Sequence, residues 1–72
     1  MHILCAMNYY IASIDENGTR TYMDSNGVFQ RKLYRNKSAG TLKFSDAEAA
    51  LILAAEIDAL VLGESKDGLV TI

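Results

Sequence analysis

The sequence predicts an α+β domain, in which an antiparallel β-meander of three to four strands is packed by one capped helix and followed by a short C-terminal strand. The sheet is predicted by two dipeptides, Asn17-Gly18 and Asn26-Gly27, which each stand between β-branched or aromatic residues. The helix is predicted by a serine-led capping pattern before an alanine-rich run. The 72 residues form a single domain, because chains divide into separate cores only at greater length.

Residues 1–6 are apolar but lack the basic start and the long hydrophobic run of a signal peptide. Two interpretations of residues 1–6 remain open. They form either a leader before a natural start at Met7 or an extension of the first strand. His2 and Cys5 receive no ligand or nucleophile role, because a functional thiol needs a positioned base or cation and a closed zinc site needs more ligands. We therefore predict no metal, no cofactor and a cytoplasmic location.

Residues 8–44 are predicted to form the meander, with strands at 8–15, 19–24 and 28–35 and, after a turn cluster at 36–40, a short fourth strand at 41–44. Asn-Gly favours a type I′ hairpin turn, because both central residues of that turn need positive φ. If Asn17-Gly18 is a two-residue loop, Asp15 lies opposite Arg20. The two charges are of opposite sign, which supports this register.

Ser45 is the predicted N-cap of a helix over residues 46–62. Its hydroxyl is expected to accept the N3 amide proton, while Glu48 reaches back to the N-cap amide. Gly63 is the expected C′ residue. A polar connection over 64–68 then leads to a last strand at 69–72. At 100° per residue, the side of the helix that faces the sheet consists of Ala50, Leu53, Ala54, Ile57, Leu60 and Val61.

Large aliphatic side chains of the predicted helix also lie away from this core side. A helix that is apolar nearly all round is normally buried on two sides. We therefore predict a homodimer, a higher homo-oligomer or another partner interface at Leu51, Ile52, Ala55 and Leu62. The alternative is that these are a few exposed aliphatic residues, which every protein tolerates.

Charge is unevenly placed, although 7 basic and 9 acidic residues nearly balance. No acidic residue interrupts 31–43, whereas the helical half is mainly acidic. We define the basic segment as Arg31, Lys32, Tyr34, Arg35, Lys37 and Lys43, and predict that it contacts a protein partner. Its aromatic neighbours also suit nucleic acid, but a pI near 5.1 disfavours nucleic-acid binding as the main activity. The alternative is a solvated strand and turn.

Catalytic motifs are missing from the sequence, which has no glycine-rich phosphate loop, no HExxH, no paired cysteines and no GxSxG. Asp15 and Asp24 are the candidate carboxylate pair, but they lie at hairpin turns, where acidic residues serve the turn conformation. We therefore predict that the chain is not an enzyme, and we predict no membrane partner.

Short segments between residues 8 and 62 follow one another in strand, turn and helix order: Tyr9-Tyr10-Ile11, Asp15-Glu16-Asn17-Gly18, Tyr22-Met23-Asp24, Gly27-Val28-Phe29 and the run over 42–50. In these segments and in length the chain resembles the small orphan proteins of phages and mobile elements, among them anti-CRISPR proteins. That resemblance implies a compact domain that inhibits a host defence complex by binding it. The order of three strands and a helix is also similar to HicB-type antitoxins, which implies an antitoxin-like or nucleic-acid-associated accessory domain.

Overall fold

The computed structural model describes residues 8–34 and 40–72. These residues form five strands and one helix: β1 (Asn8–Ile14), β2 (Arg20–Met23), β3 (Phe29–Gln30), α1 (Ala47–Glu56), β4 (Leu60–Ser65) and β5 (Gly68–Thr71). The strands pair antiparallel in one sheet with the order β3-β2-β1-β4-β5. The predicted α+β class is confirmed. The predictions for residues 1–6 and for the turn cluster at 36–39 lie outside the described residues.

Both Asn-Gly dipeptides lie in hairpin loops, as predicted, but the first loop has three residues instead of two. Ile14 pairs with Arg20, so the predicted pairing of Asp15 with Arg20 is wrong by one residue. The Gly18 N–H donates to the Asp15 carbonyl at 2.9 Å, and Gly18 has a φ of 80°. In this loop the glycine supplies the positive φ and the asparagine does not, which is the arrangement of a three-residue loop with a glycine bulge.

The segment over 41–44 does not form the predicted fourth strand. It makes two isolated antiparallel bridges, Asp24 with Thr41 and Tyr9 with Phe44. Tyr9 and Phe44 exchange backbone hydrogen bonds of 2.8 and 2.9 Å. The segment crosses from the end of β2 to the first half of β1, so it pairs with each strand at one residue only. The third predicted strand, 28–35, is reduced to Phe29–Gln30 within the described residues.

The N-cap of α1 is Asp46, one residue after the predicted Ser45. The Asp46 carboxylate accepts the Glu48 N–H at 3.3 Å, and the Asp46 carbonyl accepts the Ala50 N–H at 3.3 Å. Serine and aspartate are equally good N-caps, so the sequence Ser45-Asp46 offered two starts of similar free energy. The aspartate also places a negative charge at the positive end of the helix dipole.

The helix ends at Glu56, well before the predicted end at 62. Asp58 lies just beyond it in the left-handed region, with a φ of 55°. The Ala59 N–H donates to the Ala54 carbonyl at 2.8 Å, which is a bond of the Schellman motif that closes helices. Asp58 therefore occupies the C′ position, which was predicted from the sequence to be Gly63.

The residues predicted to form the last turn of the helix are strand β4 instead. Leu60, Val61 and Leu62 pair with β1, as do Gly63 and Glu64 further along the strand. Short apolar runs suit a strand as well as a helix, so local sequence did not decide between them. Pairing in the sheet makes this run a strand, because β4 pairs with β1 along five residue pairs, from Asn8↔Glu64 to Ala12↔Leu60.

The core lies between α1 and the face of the sheet that carries Tyr9 and Ile11. Its buried centre consists of Ile11, Met23, Ala50, Ala54 and Val61. Partly buried side chains surround it: Tyr9, Phe29, Leu42, Phe44, Leu53 and Ala59. Of the six predicted core residues, Ala50, Ala54 and Val61 are buried and Leu53 is partly buried. The prediction is wrong for Ile57 and Leu60, which are 42% and 40% exposed, because the helix ends before them.

The opposite face of the sheet is buried at its centre as well. Tyr10, Ala12 and Leu62 have no exposed area, and Glu64 is only 7% exposed. The Tyr10 hydroxyl donates to Glu64 Oε1 at 2.8 Å, so this buried carboxylate is hydrogen-bonded, as a group removed from water must be. Leu62, a predicted interface residue, is thus inside the sheet and does not belong to a helix surface.

Candidate functional site

The outer helix surface, which we define as Leu51, Ile52 and Ala55, lies on the side of α1 turned away from the sheet. Ile52 is 200° around the helix from Ala50, whose side is buried. Leu51 is 43% exposed and Ile52 is 58% exposed, and Ala55 is exposed too. Three of the four predicted interface residues therefore share one accessible surface, whereas Leu62 lies in β4 and is buried.

Carboxylates flank the outer helix surface. Glu48 and Glu56 stand four residues before and after Ile52, so all three side chains lie along one ridge of the helix. Asp46 and Asp58 add negative charge at the two ends, and the stretch 46–58 contains no lysine or arginine. The surface thus combines an apolar centre with acidic borders, and a complementary partner has an apolar patch with basic borders.

Four of the six residues of the basic segment are described. Arg31, Lys32 and Lys43 are exposed, and Tyr34 is 40% exposed. The Tyr34 N–H donates to Thr41 Oγ1 at 2.7 Å, and the Thr41 N–H donates to the Tyr34 carbonyl at 3.3 Å. These bonds hold 31–34 next to 41–43, so the structure brings the four described members into one region. The remaining members of the basic segment, Arg35 and Lys37, lie outside the described residues.

The two candidate carboxylates hold hairpin loops together. Asp24 Oδ1 accepts the N–H groups of Val28 and Asn26 at 2.9 Å each, and Asp24 Oδ2 accepts the Gln30 side-chain N–H at 3.1 Å. These bonds, of which the one from Val28 has the largest effect, lower the pKa of the Asp24 carboxyl below its ordinary value of 3.8. Asp15 makes the equivalent two backbone bonds in the first loop. Both residues therefore serve turn conformation, as the sequence indicated.

Sequence reasoning missed one exposed apolar surface, at the outer edge of the sheet. Val70 of β5 is 46% exposed and the adjacent Ile72 is 48% exposed. The available signal was the run 69–72, which contains no charged residue and no proline. Natural edge strands usually carry such residues as protection against pairing with other chains.

The described part of the chain comprises residues 8–34 and 40–72 and contains neither a grouped set of metal ligands nor a membrane-spanning helix. In that part of the chain no three His, Cys, Asp or Glu side chains are grouped to hold a metal ion. None of its helical residues form a span long and apolar enough to cross a membrane. His2 and Cys5 lie outside this part.

Comparison of the chain with protein-family models, curated proteins and solved structures gives no match. Similarity to a known protein therefore assigns no activity to these surfaces, and the indications of function are their exposure, shape and charge.

Proposed function

We propose that the chain is a non-enzymatic, protein-binding inhibitor that acts in the cytoplasm by covering a surface of its target. The proposed target is a host defence nuclease complex, the class that the resemblance to phage orphan proteins implies. The observation that carries the proposal is the outer helix surface, where Leu51 and Ile52 are 43% and 58% exposed. Exposed aliphatic side chains grouped on one helix surface are typical of docking sites.

The charges around this surface favour a nuclease as the target. Surfaces that bind nucleic acid are basic, because they neutralise phosphates with lysine and arginine. Glu48 and Glu56 flank Ile52 and complement such a surface, while Leu51 and Ile52 supply the apolar contact. The described members of the basic segment provide a second contact, with an acidic part of the same target.

The test measures inhibition of nuclease-based defence systems in cells that express the chain, and binding of the purified chain to the nuclease complex. The wild-type chain is expressed in bacteria that carry individual nuclease-based defence systems, and phage or plasmid survival is counted. Ile52→Glu is expected to remove the protection and to weaken binding to the purified nuclease complex at least tenfold, since it places a charge in an apolar contact. Tenfold in affinity corresponds to about 1.4 kcal/mol.

The matched control is Val28→Glu, which makes the same chemical change at a residue 52% exposed in the second hairpin loop. It is expected to protect as well as the wild type. The proposal is wrong if the wild-type chain inhibits none of the defence systems. It is also wrong if Ile52→Glu inhibits as strongly as the control.

A second candidate function is that of an antitoxin-like or nucleic-acid-associated accessory domain. The observation that favours it is the partly exposed ring of Tyr34, held in the same region as Arg31, Lys32 and Lys43. An exposed aromatic ring among cations can stack on a base while the cations contact phosphates. Replacing Arg31 and Lys43 by alanine is then expected to lower the salt slope of oligonucleotide binding by about two units. Wild-type protein that binds no oligonucleotide at low salt eliminates this candidate.

A further inference from the structure

β5 is the last strand at one side of the sheet, and no other described strand pairs with its outer side. The Ile72 N–H donates to the Val61 carbonyl at 2.9 Å, which identifies Val61 and Ile72 as a hydrogen-bonded pair. Hydrogen-bonded pairs alternate along an antiparallel ladder. The backbone groups of Gly68 and Val70 therefore point toward β4, and those of Leu69 and Thr71 point away from the sheet.

The outward N–H and C=O groups of one copy can pair with the same groups of a second copy that is related by a two-fold axis. A two-fold axis at Val70 places Leu69 of one copy opposite Thr71 of the other, and Thr71 opposite Leu69. Both pairs then consist of residues whose N–H and C=O point outward, so each pair exchanges two backbone hydrogen bonds. A two-fold axis at Leu69 sets Thr71 opposite Asp67 in the β4–β5 turn, and an axis at Thr71 sets Leu69 opposite no residue of 68–72. Each of these axes therefore pairs only one of the two outward-pointing residues.

The side chains also fit this arrangement. Gly68, Val70 and Ile72 share one face of β5, and the two-fold axis sets Ile72 of one copy beside Gly68 of the other. Ile72 is 48% exposed, and the space where a Cβ of Gly68 would lie is open, with no atom within 4 Å. Val70, which is 46% exposed, meets its own copy at the axis. Residues 68–72 have no charged side chains, so the pairing brings no like-charged side chains together.

From this geometry we infer that β5 pairs antiparallel with β5 of a second copy of the chain, with the two-fold axis at Val70, and joins two sheets into one of ten described strands. The contact is separate from the outer helix surface, which stays free for a target. Self-association was predicted from the sequence at the helix, and this pairing gives it a different location.

The first experiment measures mass by sedimentation of the purified full chain. The wild type is expected at twice 7.9 kDa at high micromolar concentration. Val70→Lys and Val70→Glu each place like charges at the axis and are expected to be monomers, and an equimolar mixture of the two is expected to restore the dimer mass. That restoration distinguishes a broken contact from a misfolded chain. Val28→Lys, a change at another exposed valine, is expected to leave the dimer intact.

The second experiment is amide hydrogen exchange by NMR. In the dimer the Leu69 and Thr71 amides are expected to be protected. In Val70→Lys these two amides are expected to exchange freely, while the amides of residues 70 and 72, which bond to β4, stay protected. The inference is overturned if the wild type is a monomer at that concentration. It is equally overturned if Val70→Lys stays dimeric and Ile52→Glu does not. Both readouts use the chain alone, so they are independent of whether it inhibits a nuclease.

Discussion

Asp58, at the C-terminal end of α1, is the residue at which a small change should have the clearest effect on stability. It has a φ of 55°, a conformation that costs an ordinary L-residue about 1–2 kcal/mol and glycine almost nothing. Its negative charge also lies at the negative end of the helix dipole, which costs about 0.3–1 kcal/mol more. The last turn contains no basic residue to offset that charge.

Three substitutions separate these two effects. Aspartate tolerates the left-handed region better than most L-residues, so Asp58→Gly gains only about 1 kcal/mol from the backbone and about 0.3–1 kcal/mol from removal of the charge. The greater freedom of the unfolded chain offsets about 0.4–1 kcal/mol of this gain, which leaves a net stabilisation of about 0.5–1 kcal/mol. Asp58→Asn keeps a residue that tolerates the left-handed region and should stabilise by a few tenths of a kcal/mol through the charge alone. Asp58→Ala removes the same charge but keeps a Cβ in the left-handed region, so it should be less stable than Asp58→Gly by about 1 kcal/mol.

The assay is urea unfolding at neutral pH with the midpoint and slope fitted for each variant. For a domain of this size, 1 kcal/mol corresponds to about 4–8 °C in melting temperature, so thermal unfolding provides an independent check. If alanine proves as stable as glycine at position 58, the left-handed C′ conformation is not adopted. The helix would then extend toward 62, as the sequence predicted.

Three further predictions concern local structure. Asp46→Ala should cost about 1 kcal/mol of unfolding free energy through loss of the N-cap, whereas Ser45→Ala should change it little, and equal effects would contradict the observed cap. Because folding lowers the pKa of Asp24, its contribution is present above the ordinary value of 3.8 and is lost as pH falls through the lower folded pKa. Urea midpoints of the wild type should therefore fall more steeply than those of Asp24→Asn between about pH 5 and pH 2, and parallel profiles would refute this. Gly27→Ala should destabilise by about 1 kcal/mol through its φ of 81° alone, since open space surrounds the position, and an unchanged midpoint would show that the loop rearranges.

The hairpins could be predicted from the sequence because their signals are local. Asn-Gly marks the place where a positive φ is needed, and both dipeptides lie in loops with glycine in that conformation. The length of the first loop was missed, because it depends on the side chain of Asp15 accepting backbone N–H groups across the turn. That interaction favours a three-residue loop over the two-residue loop that Asn-Gly alone suggests.

The end of the helix could not be predicted, because the deciding interaction is distant in sequence. Leu60, Val61 and Leu62 suit either structure, and their partner is β1, about fifty residues earlier. The left-handed residue that stops the helix is an aspartate, which is a weaker signal than glycine. Leu51 and Ile52 were still identified correctly as off the core side, because their periodicity relative to Ala50 and Ala54 does not depend on where the helix ends.

The position of β1 between β2 and β4 also places one pairing of residues that are distant in sequence at the centre of the sheet, between two local hairpins. The β1–β2 and β4–β5 hairpins close loops of only two or three residues, and such hairpins form in roughly 1–10 μs. Pairing of Ala12 with Leu60 must instead close most of the chain, and such distant contacts slow folding. The folding rate should therefore depend on the encounter of two preformed hairpins. Substitutions in β4 that weaken this encounter should slow folding. Changes in the hairpin loops should instead alter the fraction of unfolded chains in which each hairpin is formed.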